Sequence, residues 1–234
     1  MHYDGRGVDT GYNRCHNFCQ QLANILPTTS PKKSAILKSQ PKDSAPLSRK
    51  LNKNISEVQI LKHYNDFLIV GIDHGYGNIK TANTVTPTGI TKLDAAPTFT
   101  KNTLFFEGSY YQIGEGHKEY LADKWQDEDN YIFTLMGIAR ELNRESITSA
   151  KIYLAVGLPI TWVGRQRESF RQYMLQRKSV DFKYEDKLYS VRIIGCYVYP
   201  QGYAAVVEKL NEMTGLSMID DIGNGTVNII FVSN

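Results

Sequence analysis

The chain has 234 residues, of which 41% are hydrophobic and 22% charged, with a formal net charge of +3. That usage excludes a wholly disordered chain and a coiled-coil rod. No apolar run reaches the ~20 residues of a bilayer span, nothing at the N-terminus pairs a basic region with an apolar core, and 3 cysteines cannot staple a disulfide scaffold, so a reducing cytoplasm is the simplest compartment.

The positive charge is local. Residues 1–66 hold 10 Lys and Arg against 5 Asp and Glu, whereas the remaining 168 hold 17 against 19. The body therefore offers no basic face for direct nucleic-acid contact. The first 66 residues read as a disordered basic extension, with Pro27, Pro31, Pro41 and Pro46 set among lysines and serines. Residues 12–26 are compatible with a short helix. Cys15, His16 and Cys19 fall short of the four ligands of a structural zinc, so no metal is assigned there. The segment reads equally as a tail, a partner-binding arm or upstream sequence foreign to the native protein.

The body opens at Phe67. Phe67 to Ile72 is a short apolar run of buried-strand type, ending at Asp73. His74, Gly75, Tyr76 and Gly77 follow, and then the alternating stretch Asn78-Ile79-Lys80-Thr81-Ala82, which together predict a hairpin with two glycines in its turn. Such a turn lets a ligand approach the backbone, and its N–H groups form a nest for an anion. Asp73 stands where a carboxylate can hold a metal ion through water, and Lys80 where an ammonium can reach a phosphate. A tight hairpin without a ligand satisfies the same pattern.

Short strands are predicted at 103–107 and 110–113, a helix at 131–144 from the spacing of Ile132, Leu135, Met136, Ala139 and Leu142, and a buried strand at 151–157. Pro159 opens a helix to about Gln176. Arg165, Arg167, Arg171 and Arg177 on and after it form either a subunit contact or a solvated face. A strand pair follows at 180–184 and 188–198. Pro200-Gln201-Gly202 comes next at a strand end, where α/β sheets bind ligands, and opens a helix at 203–213.

The glycine hairpin then recurs. The apolar run 216–220 leads into Asp221-Ile222-Gly223-Asn224-Gly225, and the apolar stretch Thr226 to Val232 follows. Two such loops, each with an acid at the strand end, suit a nucleotide clamped from both sides. Register pairs Asp221 with Asp73. Neighbouring strand residues face opposite ways, so Asp220 is expected to face solvent or a local partner.

Four motifs make a resemblance specific: Gly71-Ile72-Asp73-His74-Gly75-Tyr76-Gly77-Asn78-Ile79-Lys80, Tyr110-Tyr111-Gln112-Ile113-Gly114, Val156-Gly157-Leu158-Pro159 and Tyr199-Pro200-Gln201-Gly202. Residues 67–234 resemble the actin, chaperone and sugar kinase ATPases, and within them the bacterial actin-like ParM/StbA proteins that segregate plasmids. The resemblance implies an α/β, actin-like (ribonuclease-H-like) fold with a mixed sheet flanked by helices. Residues 67–215 would form its first domain, and 216–234 the first hairpin of a second domain only begun. It implies ATP and Mg²⁺ as cofactors: Asp73 holding the metal through water, Lys80 on the β- or γ-phosphate, and Gly75, Tyr76, Gly77, Asn78, Gly223, Asn224, Gly225 and Thr226 around the phosphates. Asp221 and Gln201 would organise the metal shell and the attacking water. Filament self-association and a DNA-binding adaptor would be the partners, with no direct nucleic acid and no membrane. The adenosine motif of the superfamily is missing, so the chain is expected to be a fragment that binds ATP weakly and polymerises poorly. A kinase- or chaperone-type relative and a non-catalytic binding module are the competing readings.

Overall fold

The computed structural model describes residues 61–64, 66–115, 128–202, 214–222 and 227–233. The N-terminal extension up to residue 60, the predicted helix at 203–213 and the tip of the second hairpin at 223–226 lie outside them. Twelve strands are seen: β1 (Lys62–Tyr64), β2 (Phe67–His74), β3 (Asn78–Thr81), β4 (Val85–Pro87), β5 (Ile90–Leu93), β6 (Thr103–Phe106), β7 (Ser109–Ile113), β8 (Ser149–Leu158), β9 (Ser179–Tyr184), β10 (Lys187–Pro200), β11 (Leu216–Ile222) and β12 (Val227–Ser233). The two helices among the described residues are α1 (Glu128–Arg144) and α2 (Ile160–Met174).

Ten strands form one mixed sheet in the order β4-β3-β2-β8-β10-β9-β6-β7-β5, with β1 paired to β2 off this path. The centre is parallel: β2 beside β8 and β8 beside β10. Every other pair in the sheet is antiparallel. Parallel strands buried on both faces are apolar nearly throughout, and β2 is buried at Leu68, Ile69, Val70, Gly71 and Ile72. β11 and β12 form a separate two-stranded antiparallel sheet. The mixed sheet with helices is the α/β architecture expected from the sequence. The sequence reading has no strand at 62–64, 85–87 or 90–93.

α1 is the core helix. Residues 130–139, Glu141 and Leu142 are buried along it, and its apolar side chains share one cluster with Leu68, Val70 and Ile72 of β2 and Ile152, Leu154 and Val156 of β8. Glu128 and Asp129 at its start and Arg144 at its end complement the helix dipole. α2 is more peripheral and buries Phe170 and Met174.

Two charged residues of α1 fasten the sheet. Arg140 uses its whole guanidinium: Nε donates to Tyr184 Oη at 2.9 Å, one terminal nitrogen to Thr86 Oγ1 at 2.7 Å, the other to Asn102 Oδ1 at 2.8 Å. It thereby joins β9, β4 and the turn before β6. Glu141, buried, accepts from Thr81 Oγ1, from the Asn83 backbone N–H at 3.0 Å and from Asn83 Nδ2 at 2.7 Å. Both carboxylate oxygens are thus bonded, as a buried charge requires.

Of the two readings of the arginine face, the solvated one describes the chain: Arg165, Arg167, Arg171 and Arg177 are all exposed. Arg167 Nε donates to the Val198 carbonyl at 3.2 Å, and Arg171 pairs with Glu168 at 3.2 Å. Arg177 forms an ion pair with Glu107 and lies over the Phe106 ring, 5.7 Å from its centroid.

Replacing Arg140 by Ala removes three charge-assisted bonds and should lower unfolding free energy by about 2–4 kcal/mol, measured as a shift of the urea midpoint at constant slope. A second expectation concerns alkaline pH. Burial pushes the Cys196 thiol from 9.0 up to about 12, against a smaller opposing effect of Arg171. Burial likewise pushes the Tyr131 phenol from 10.0 up to about 12. The unfolded chain releases these protons first, so stability is intact below pH 9 and is lost as pH rises from there towards 12. Melting temperature followed through that range should fall, and Cys196→Ala should remove the part that begins near 9.0.

Candidate nucleotide site

The carboxyl ends of the three parallel strands carry the site. β2 ends on Asp73 and His74, β8 on Gly157 and Leu158, and β10 on Tyr199 and Pro200. Alternation turns Leu68, Val70, Ile72 and His74 towards the helices and Ile69, Gly71 and Asp73 to the other face. His74 is buried on the helix side, its Nε2 2.8 Å from Thr134 Oγ1 and its ring edge-on to Phe170. Register sets Gly71 beside Ala155 and Tyr199 beside Gly157, so Asp73, Gly157 and Tyr199 lie at one level on the opposite face.

Asp73 is the centre of the group. Its Oδ1 accepts from Gln201 Nε2 at 3.0 Å, and its Oδ2 lies 4.0 Å from Lys80 Nζ. Lys80 and Asp73 are direct cross-strand partners between β2 and β3. Each side chain is 25% exposed, so the pair is open to an incoming anion and only partly screened. Gln201 is aimed by the backbone: its N–H donates to the Leu158 carbonyl at 2.7 Å, one step beyond the β8–β10 ladder, and Gly202 turns the chain away at φ +81°. The structure thus brings together Asp73, Lys80 and Gln201.

The first glycine loop is the turn between β2 and β3. A Cβ on Gly75 would stand 2.7 Å from the Asn78 carbonyl oxygen, so only glycine fits there. Thr88 ties the loop from behind: its hydroxyl donates to the Tyr76 carbonyl, and its N–H donates to the Gly77 carbonyl at 3.2 Å. Asn78 starts β3 opposite Pro87. The sequence reading missed Thr88, which no motif marks. It also gave no role to Gly157, quoted only within Val-Gly-Leu-Pro.

The second loop is described only at its base. Asp221 sits in β11 opposite Asn228, and Asp220, opposite Ile229, is exposed. Gly223, Asn224, Gly225, Thr226 and the Asp221 side chain lie outside the described residues, so the two loops are not compared in space.

The donors around Asp73 are one carboxylate, one amide and one ammonium. Among the described residues no group of three or more His, Cys, Asp or Glu is able to hold a metal ion. That set fits a hydrated Mg²⁺ carried in by a phosphate chain, which needs one carboxylate and keeps its waters, better than an all-protein cage. Among the described residues no helix is long and apolar enough to cross a membrane.

Comparison with known proteins bears on the fold and the family. No curated protein matches the chain. Among solved structures, apo psk41 parM protein aligns at a TM-score of 0.51 and 12% identity, over 72% of this chain and 67% of that one. The archaeal actin homologue Ta0583 aligns at 0.54 and 18% identity, over 70% and 57%. The complex of Ta0583 with ADP aligns at 0.50 and 18% identity, over 70% and 55%. The chain therefore spans between 55% and 67% of the length of these structures, and at such identities the likeness is one of fold. The family model "Actin like proteins N terminal domain" matches residues 71–203, more than half of the chain and the whole of the Asp73–Lys80–Gln201 group, and the chain belongs to that actin-like family.

Proposed function

We propose that this chain carries one side of the ATP and Mg²⁺ site of an actin-like protein that hydrolyses ATP to drive filament assembly in plasmid or other DNA segregation. The observation that carries the reading is the convergence of Asp73, Lys80 and Gln201 where three parallel strands end beside a glycine turn. The structure of Ta0583 with ADP is a nucleotide complex of a protein of the same fold. The segregation role rests on the ParM-like motifs of the sequence.

Phosphoryl transfer needs alignment and charge neutralisation more than covalent help. When bound, Mg²⁺ supplies neutralisation at the phosphate oxygens. Asp73 holds its hydration shell, Lys80 moves its ammonium onto the β- or γ-phosphate, and the N–H groups of Gly75, Tyr76 and Gly77 cradle the chain of phosphates. Gly223, Asn224, Gly225 and Thr226 are assigned the matching role from the second loop, with Asp221 at the metal shell. Gln201 is neutral, so it orients the attacking water without taking its proton. The partners in this reading are further copies of the chain and a DNA-binding adaptor.

In a protein that carries both domains of the actin-like fold, Lys80→Ala and Asp221→Ala should each reduce ATP turnover more than tenfold and weaken binding of labelled ATP; near-normal turnover in both variants overturns the assignment. Activity per molecule should rise sharply above a threshold protein concentration, with filaments seen by electron microscopy above it. Activity that stays flat across that range identifies a kinase- or chaperone-type relative instead.

A further inference from the structure

We propose that Gly157 is a positioning residue: the space left by its missing side chain is where Gln201 lies, and there Asp73 sets which way the Gln201 amide faces. The inference rests on the reading of Gln201 as the water-orienting group.

Glycine is a poor choice for the end of a buried central strand, because it packs nothing and costs backbone entropy. Gly157 is buried in β8, between β2 and β10. Its backbone is not the reason for it, since the positive-φ glycines of the described chain are Gly108, Gly114, Gly202 and Gly215. Space is the reason. A Cβ at 157 would stand 3.0 Å from Gln201 Cγ, 3.7 Å from Asp73 Oδ1 and 3.8 Å from Gln201 Nε2. The first distance is closer than side chains ordinarily pack, and the atom met belongs to a side chain able to swing away. An added methyl group would therefore displace Gln201 rather than the sheet.

The contact it protects has a chemical direction. An ionised carboxylate only accepts, so the amide nitrogen is the atom that faces Asp73. The carbonyl oxygen Oε1 is then held on the far side of the amide, where it can accept from a water. Without the carboxylate the amide is free to flip, and half of its orientations offer water the wrong group. Gly157 thus acts on the reaction through Gln201 and touches no reacting atom.

The test is Gly157→Ala, alone and combined with Gln201→Ala. We expect turnover to fall about tenfold with ATP affinity changed less than twofold, and the double variant to be no slower than Gln201→Ala alone. The melting temperature should hold or rise by a few degrees, because alanine at a compatible backbone restricts the unfolded chain. The side-chain amide resonances of Gln201 should shift in Gly157→Ala towards their positions in Asp73→Asn, a readout independent of catalysis. If Gln201→Ala turns over normally, the functional reading of Gln201 fails, and the amide resonances alone then decide the packing claim. Normal turnover in Gly157→Ala beside an impaired Gln201→Ala overturns the role of Gly157 and leaves the functional reading standing. Losses that multiply in the double variant, unmoved amide resonances, or a melting temperature lowered by more than about 5 °C would each overturn it too.

Discussion

The carboxylate of Asp73 organises the site, and it does so because a parallel strand ends there. Three strands running the same way bring their carboxyl ends to one edge, and that edge holds one carboxylate with an amide on one oxygen and an ammonium near the other. The ion contact is the weak one of the two. A pair at 4.0 Å with each side chain 25% exposed is worth little in stability. Its value is that both partners are held close while remaining displaceable. An incoming phosphate can draw Lys80 away without dismantling a buried ion pair, which would cost several kcal/mol.

The helix side of the sheet is built on the opposite rule. Glu141 is buried with both oxygens bonded, and Arg140 has Nε and both terminal nitrogens engaged. The Glu141 contacts end on Thr81, the last residue of the strand that carries Lys80, and on Asn83 just beyond it, so the rigid network stops at the neighbour of the labile pair. Thr88 and Glu141 together hold β3 and its flanking turns from behind. The result is a lightly held contact on a fully bonded frame.

The run from Phe67 to Thr81 was legible in the sequence because its apolar stretch, two glycines and alternating return agree with each other. α1 was legible because apolar residues recur on one helical face; it begins at Glu128, three residues before the predicted start at 131. β4 and β5 were not legible. They are the two ends of the sheet, three and four residues long, and an edge strand is covered too little to impose a pattern. Pro87, at the end of β4, suits such an edge and argues against a central strand. The Gln201–Asp73 bond joins residues 128 apart. No spacing rule reaches that far, and only the stacking of β2, β8 and β10 creates it. Gly157 was visible as a letter and silent as a cause, since a missing atom leaves no signal until its neighbours are known.

The β11–β12 hairpin presents Leu216, Met218, Val227, Ile229 and Phe231 to water, each more than half exposed. Cross-strand register sets Met218 opposite Phe231 and gathers the five on one side of the ribbon. A greasy panel of this kind sticks to other greasy surfaces whatever nucleotide is present. Purified material would tend to clump, and more so in high concentrations of sulfate, which strengthen apolar adhesion. Turbidity or pelleting alone would then report adhesion and any ordered polymer alike, and dependence on added nucleotide is what would separate the two.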